Sequence, residues 1–144
     1  MNEKVLIQGP ISRAKMCELM SMPDEKNGGH SIFIGRVRAD ESGSKKVAAI
    51  EYSAYESMVE AEAEKIRKSI FAKFPDVKSV VILHSIGIVK AGEDSLLVFV
   101  SAGHRQQAMD ACSRIVEMVK ASLPVWKKEI FVDNTSAWRE NNPA

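Results

Sequence analysis

Hydrophobic positions along the chain follow two spacings, one typical of helices and one typical of strands. The helical spacing is clearest in residues 55–74 and 105–122, and a proline follows each segment closely and predicts its end. Ser53-Ala54-Tyr55-Glu56, at the start of the first segment, has the form of a capping box. Residues 11–22 predict a shorter helix that ends before Pro23. The pattern therefore predicts about three helices.

Short apolar runs rich in branched residues predict the strands between these helices. Gly87 and Gly92 separate two of the runs and predict a hairpin connection. The charged segment 39–46 predicts a loop that is mobile when nothing is bound, and residues 133–136 predict a turn. Helices scattered among neighbouring strands favour an α+β fold over a doubly wound parallel sheet. The predicted strands are residues 4–8, 30–38, 47–52, 77–84, 96–101 and 128–132.

Length and composition indicate a single domain over residues 1–144, with 45% hydrophobic and 27% charged residues. No run reaches the roughly 18 apolar residues that a membrane span needs, and the first residues do not form a signal peptide, which predicts a cytoplasmic protein. Cys17 and Cys112 each lie in an apolar helical pattern. We expect both to be buried packing residues, without a disulfide or zinc site.

The formal net charge of +1 gives no field that argues for nucleic acid or an anionic membrane as a partner. Any anion bound by this chain must therefore meet a local cluster of cations. Three histidines without clustered Asp or Glu spacing predict no metal site.

The first candidate cluster is Gly35-Arg36-Val37-Arg38, at the end of a predicted strand. Alternate residues of a strand point to the same face, so Arg36 and Arg38 can converge on one anion. On spacing alone, a solvated strand end is the preferred interpretation.

The second cluster is Ser101-Ala102-Gly103-His104-Arg105, where a predicted strand is followed by a predicted helix. Free backbone N–H groups and the positive end of the helix dipole suit a phosphate at this position. Arg105 opposes the dipole, which is easier to explain if an anion lies between the two positive features. A surface arginine beside a half-buried histidine is an equal alternative.

The third cluster is Lys120, at the end of the predicted helix, and Lys127 in the following segment 123–129, where proline and tryptophan indicate a rigid backbone. A lysine held there can lose solvation and act as an acid, a base or an electrostatic stabiliser. Lysines at helix C-termini are also common for dipole reasons alone.

In this order and at these intervals, the segments resemble the large subunit of molybdopterin synthase, over about residues 29–138. Four motifs carry the resemblance, and together they are specific although each is weak alone. They are Phe33-Ile34-Gly35-Arg36-Val37-Arg38, Ile50-Glu51-Tyr52-Ser53-Ala54-Tyr55, Ser101-Ala102-Gly103-His104-Arg105, and Lys120 with Leu123-Pro124-Val125-Trp126-Lys127-Lys128-Glu129.

The resemblance implies an α/β hammerhead-type fold with mostly antiparallel strands, and a homodimer of large subunits that forms a heterotetramer. A small ubiquitin-like subunit at each end would donate sulfur from the thiocarboxylate of its Gly-Gly tail. Two such transfers would convert cyclic pyranopterin monophosphate to molybdopterin, without a cofactor or metal. The implied catalytic residues are Lys120 and Lys127, and the implied substrate-binding residues are Arg36, Val37, Arg38, His104, Arg105, Lys128 and Glu129.

Two departures from the family pattern are visible. Ser85 stands where the family usually has an arginine before the Ile-Gly pair, and the tail after Trp138 ends before the basic residues that some relatives carry. We therefore carry over no site residue contributed across the dimer by that tail. Ser85 leaves open a catalytically silent homologue that binds a ubiquitin-like tail or an anionic metabolite. An α+β structural or dimerisation domain with merely solvated cations is a third possibility.

Overall fold

An eight-stranded sheet carries three α-helices in the part of the chain that the computed structural model describes, residues 3–139. The sheet order is β2-β6-β5-β4-β7-β8, with β1 beside β5 and β3 beside β4, and the β1–β5 pair is parallel while the other pairs are antiparallel. This confirms the α+β class, the mostly antiparallel strands and the number of helices. The elements are β1 (Leu6–Gln8), α1 (Arg13–Met20), β2 (Gly29–Arg36), β3 (Glu41–Ser42), β4 (Lys45–Ala54), α2 (Glu56–Lys73), β5 (Val77–Lys90), β6 (Asp94–Ala102), α3 (Arg105–Ser122), β7 (Val125–Phe131) and β8 (Ser136–Arg139).

Strand β6 is buried along its whole length because helices cover both faces of the sheet around it. Val98 packs in the larger core with α2 and α3, where Ile66 and Ile115 are also fully buried. Leu97, the preceding residue, points to the opposite face and packs in a smaller core with Met16 of α1. Each fully buried side chain of this size stabilises the fold by about 1.5 to 3 kcal/mol. The larger core fixes α3 against the sheet, and the C-terminal end of α3 carries Lys120.

Strand β5 is longer than predicted because Gly87 lies within it and not in a connection. The strand pairs with β6 as far as His84, and from Gly87 onwards it pairs with β4. Gly87 has a φ of +83°, a conformation that glycine adopts readily and that allows the strand to pass from one neighbour to the other. The turn to β6 forms around Gly92, so the predicted hairpin is confirmed with a shorter connection.

Three other sequence predictions need correction. Tyr55 is the N-cap of α2 and no side-chain cap bond forms, because Ser53 still belongs to β4, so the capping box is wrong. Cys17 is exposed, since the short helix α1 buries only Met16 among its residues, whereas Cys112 is buried as expected. No strand was predicted after residue 132, whereas Ser136–Arg139 forms β8 by pairing with β7.

The charged segment 39–46 contains strand β3, which pairs with the start of β4 through a turn at Gly43. Its mobility in the absence of a ligand stays a prediction. Residues 140–144 of the short tail lie outside the described residues. No helix among residues 3–139 combines the length and the apolar character that are needed to cross a membrane.

Candidate active site

A cavity of about 200 Å³ opens between the C-terminal end of α3, strand β7 and the end of β2. These three elements are distant in the sequence. Strands β2 and β7 belong to the same sheet, in which β6, β5 and β4 lie between them. The cavity therefore collects two arginines and two lysines from separate segments, together with two carboxylates. The charged residues that line it are Arg36, Arg38, Asp40, Lys120, Lys127 and Glu129.

The end of β2 brings both arginines to the cavity, although regular strand alternation stops there. The register with β6 shifts between Gly35 and Arg36, and Val37 leaves the strand. Val37 is 2% exposed, donates its N–H to the Glu93 carbonyl at 2.9 Å and accepts from Gly92 at 2.8 Å. Val37 thus fixes the backbone between the two arginines and forms part of the cavity wall.

The two arginines differ in how strongly their charges are already paired. Arg36 donates from Nε to the buried carboxylate of Asp94 at 3.0 Å. Arg38 contacts Asp40 at 3.2 Å, and both of these side chains are exposed. Exposed pairs contribute little stability, so Arg38 can exchange Asp40 for an anionic ligand at low cost. Arg36 holds the strand end and is the less available of the two.

The lysines approach the cavity from two sides. Lys120 lies in the last turn of α3, and Lys127 lies in β7 opposite Tyr52 of β4. Partial burial lowers the pKa of Lys120 from its usual value, and the positive charges of Lys127 and Arg38 lower it further. A lysine with a lowered pKa carries a larger neutral fraction near pH 7, which is the property required for proton transfer.

Strand alternation in β7 separates Glu129 from Lys128. Glu129 lines the cavity with Lys127 and forms an ion pair with Arg139. Lys128 points to the other side of the sheet, where it contacts Glu51 at 3.1 Å and lies 5.2 Å from the centre of the Trp138 ring. The structure therefore brings Glu129 to the cavity and does not bring Lys128 there.

His104 and Arg105 lie at the opposite end of α3 from Lys120. An α-helix rises roughly 1.5 Å per residue, so Arg105 and Lys120 are about 22 Å apart along the axis. Neither His104 nor Arg105 lines the cavity of its own chain. Sequence reasoning placed all these residues in one hollow, and a single chain does not bring this pair to the lysines.

A carboxylate of the chain itself occupies part of the anion site that was predicted at the start of α3. Asp76 Oδ2 accepts from the backbone N–H of His104 at 2.7 Å and lies 3.1 Å from His104 Nδ1. Hydrogen bonds from His104 lower the pKa of Asp76 against the opposing effect of desolvation. The His104 side chain is 88% exposed, so this contact with Asp76 does not bury the ring. Sequence reasoning missed Asp76, which no motif distinguishes.

Two uncharged residues that sequence reasoning also missed complete the cavity floor. Tyr52 is buried, and its hydroxyl donates to Ser95 Oγ at 3.0 Å. The ring of His84 meets the Tyr52 ring edge-on, with centroids 5.0 Å apart. His84 lies in β5 and lines the cavity, and no motif in the sequence assigns it a role there. No group of three or more His, Cys, Asp or Glu residues within 3–139 is arranged to hold a metal ion.

The similarity of this chain to known proteins identifies its family. Residues 6–122 match the family described as MoaE protein. The chain belongs to the MoaE protein family. Its similarity to the molybdopterin synthase catalytic subunit of Taeniopygia guttata is 42% identity over 131 residues, which cover 91% of this chain and 82% of the relative. The corresponding subunit of Drosophila erecta is 37% identical over 142 residues, 98% of this chain. The chain spans only 38% of the length of that fly relative.

Solved structures with this MoaE fold include molybdopterin synthase from Staphylococcus aureus, with a TM-score of 0.85 and 31% identity. That match covers 97% of this chain and 98% of the other. A molybdopterin biosynthesis MoaE protein from Burkholderia ambifaria gives a TM-score of 0.74 at 26% identity, over 94% and 88% of the two chains. The family match ends at residue 122, before Lys127. The alignment with the fly relative covers 98% of this chain and therefore includes Lys127.

Proposed function

We propose that this MoaE-family chain is the large, catalytic subunit of a molybdopterin synthase. It converts cyclic pyranopterin monophosphate to molybdopterin by two sulfur transfers from the C-terminal thiocarboxylate of a small ubiquitin-like subunit. The observation that carries this proposal is the cavity in which Lys120 and Lys127 meet Arg38 at the junction of α3, β7 and β2. A cytoplasmic location stays a prediction from the sequence.

The cations of the cavity suit the chemistry of this reaction. The substrate carries a phosphate and the sulfur donor is a thiocarboxylate, so both reactants are anions that fixed positive groups can bind. Attack of sulfur on a carbon of the pterin needs proton transfer and stabilisation of developing charge more than a protein nucleophile. We assign proton transfer to Lys120, because its pKa is lowered, and charge stabilisation to Lys127 and Arg38. Glu129 forms the wall beside the lysines.

The cavity of one chain is too small for the complete site. Its volume of about 200 Å³ is below the roughly 300 to 1,000 Å³ of ordinary small-molecule sites. The predicted phosphate-binding pair, His104 and Arg105, is also absent from it. We infer that a second copy of the chain completes the site, as the predicted homodimer requires.

Strand β2 offers the surface for this second copy. It is at an edge of the sheet in the described part of the chain, and its consecutive side chains Ile32, Phe33 and Ile34 are 38%, 36% and 37% exposed. An unpaired edge strand with apolar side chains is a template for pairing with another strand. In a two-fold symmetric dimer, both copies use the same surface. The β2 strands of two copies can therefore pair with each other in antiparallel orientation.

Such pairing brings the missing residues to the cavity. If the two β2 strands pair antiparallel over their full length, Gly29 of one copy lies beside Arg36 of the other. Gly29 packs against the start of α3, since a Cβ atom added to it would lie 3.1 Å from the Cα atom of Arg105. His104 and Arg105 of the second copy would then reach the cavity mouth near Arg38. The substrate phosphate would lie between these cations, and the partner's Gly-Gly tail would enter from the side of Lys127.

Replacement of Lys120 by alanine tests the proposed reaction. With thiocarboxylated small subunit and cyclic pterin supplied, Lys120→Ala should lose more than roughly a hundredfold in dithiolene formation, the usual scale for a positioned acid, base or charge stabiliser. Lys68→Ala, which removes an exposed lysine of α2 outside the cavity, is the matched control and should keep full activity. Normal turnover of the Lys120 variant would remove this residue from the mechanism.

The alternative of a catalytically silent homologue depended on Ser85. Ser85 is fully buried and does not line the cavity, so its difference from the family pattern removes no charge from the cavity of this chain. No observation favours the silent homologue over the enzyme. Product formation in the assay above separates the two.

A further inference from the structure

His84 presents an unused hydrogen-bond acceptor to the cavity. Its ring is fixed from two directions, by the edge-on Tyr52 ring and by a contact of 2.8 Å between Nδ1 and the Ser85 carbonyl oxygen. A carbonyl oxygen only accepts hydrogen bonds, so Nδ1 must be the protonated nitrogen. In the neutral ring the lone pair is therefore on Nε2.

The surroundings of His84 keep the ring neutral. Burial lowers its pKa to about 4, and the positive charges of Lys120 and Lys127 add to that decrease although the bond to Ser85 opposes it. Asp40 and Glu129, the acidic groups of the cavity, are engaged with Arg38 and Arg139. Since a histidine is neutral above its pKa, Nε2 remains an acceptor at neutral pH.

Within residues 3–139, the hydrogen bond that the His84 ring makes is the one at Nδ1, to the Ser85 carbonyl. The other uncharged polar groups nearby are the hydroxyls of Tyr52 and Ser95. They bond to each other, because the Tyr52 hydroxyl donates to Ser95 Oγ. His84 therefore provides a neutral acceptor in a cavity whose remaining polar groups are mainly cations. The cyclic phosphate of the substrate and the thiocarboxylate cannot use it, because a phosphate diester and a thiocarboxylate carry no proton to donate at neutral pH. The N–H groups of a heterocyclic ring can.

We propose that His84 contacts the substrate directly, and that its Nε2 atom accepts a hydrogen bond from a ring N–H of the bound heterocycle. This inference rests on the proposed function, because it takes the ligand to be a pterin phosphate. The cations then bind the phosphate end, and His84 selects and orients the ring end. An acceptor that a bound ring covers without donating to it is costly, so ring systems without a suitable N–H are rejected.

Two substitutions separate the acceptor from the other contacts of His84. His84→Asn keeps an N–H close to the position of Nδ1, for the Ser85 carbonyl, and loses the acceptor at Nε2. His84→Gln can place its amide oxygen near the position of Nε2. Binding to the full-length chain is measured by fluorescence titration with cyclic pyranopterin monophosphate and by competition with inorganic phosphate. Thermal unfolding of each variant verifies its fold.

We expect His84→Asn to weaken binding of the pterin phosphate by roughly tenfold, the usual effect of one lost hydrogen bond in a buried site, and to leave phosphate affinity within about twofold. His84→Gln should recover most of the pterin affinity. Unchanged pterin binding by His84→Asn, or an equal loss for pterin phosphate and inorganic phosphate, would overturn the inference. Wild-type protein that binds phosphate but no pterin phosphate would contradict the proposed function as well.

Discussion

At the scale of single residues, Lys120 depends on its charged neighbours. Removing the positive charge of Lys127 should raise the pKa of Lys120 towards its usual value, because a nearby like charge disfavours the protonated amine. In Lys127→Met, modification of Lys120 by an amine-reactive reagent should therefore require a higher pH. The measurement is the pH midpoint of labelling of the Lys120 peptide by mass spectrometry.

Lys68→Met is the control for this labelling experiment, because it removes a cation that does not lie in the cavity. It should leave the Lys120 midpoint unchanged. An identical midpoint in wild type and Lys127→Met would mean that solvent screens the two amines from each other, so that the charge of Lys127 does not contribute to the lowered pKa of Lys120.

Single residues were predictable from the sequence where a motif marked them, and less so where only the fold places them. Arg36, Arg38, Lys120 and Lys127 stood out as cations beside glycine, proline or a helix end, and the structure brings all of them to one cavity. His84 and Asp76 carry no such mark, and Tyr52 belongs to a motif but had no assigned role. Their positions depend on strand register and on a loop that packs against α3, which the local sequence does not encode.

At the scale of elements, helix α3 was predicted with its observed bounds, because its apolar spacing is regular and Pro124 follows its end. Strand β8 was missed because Ser136–Arg139 has little apolar alternation, and its pairing with β7 defines it. Strand β5 was shortened because glycine ordinarily interrupts strands, whereas Gly87 serves a change of pairing partner. The local pattern thus predicted elements with a regular apolar spacing of their own. It missed or shortened strands that are defined by pairing with a neighbouring strand.

The start of α3 should depend on Asp76 for its stability. Asp76→Ala removes the acceptor for the backbone N–H of His104, and the loss of one helix cap should lower the Tm by roughly 2 to 6 °C. Asp76→Asn keeps an oxygen acceptor and should lose less. Thermal unfolding followed by circular dichroism measures both variants.

Asp110→Ala is the matched control for Asp76, because Asp110 lies on the exposed side of α3 and accepts from the side chain of Gln106. It should change the Tm by less than Asp76→Ala does. If the two alanine variants unfold at the same temperature, the contact between Asp76 and His104 does not stabilise the helix start.

At the scale of the whole molecule, the sequence predicted one shared site but not how its parts are distributed. The separation of Arg105 from Lys120 follows from helix geometry, since both residues lie on the same continuous helix. A single chain with this helix cannot bring both ends to one small cavity. The two predictions, a shared site and a homodimer, are therefore consistent only if each site takes α3 residues from both copies.

Mixing two inactive variants tests this arrangement directly. In a mixed dimer of Lys120→Ala and Arg105→Ala chains, one site combines Lys120 of the second chain with Arg105 of the first and is intact, while the other site lacks both. Random pairing should then restore about a quarter of wild-type sulfur transfer, because roughly half of the dimers are mixed and each has one working site. A mixture of Lys120→Ala with Lys127→Ala should stay inactive, since both lysines line the cavity of the same chain and every site lacks one of them. Recovery in the first mixture alone requires a site built from two copies, whereas two silent mixtures would mean that Arg105 does not act across the dimer.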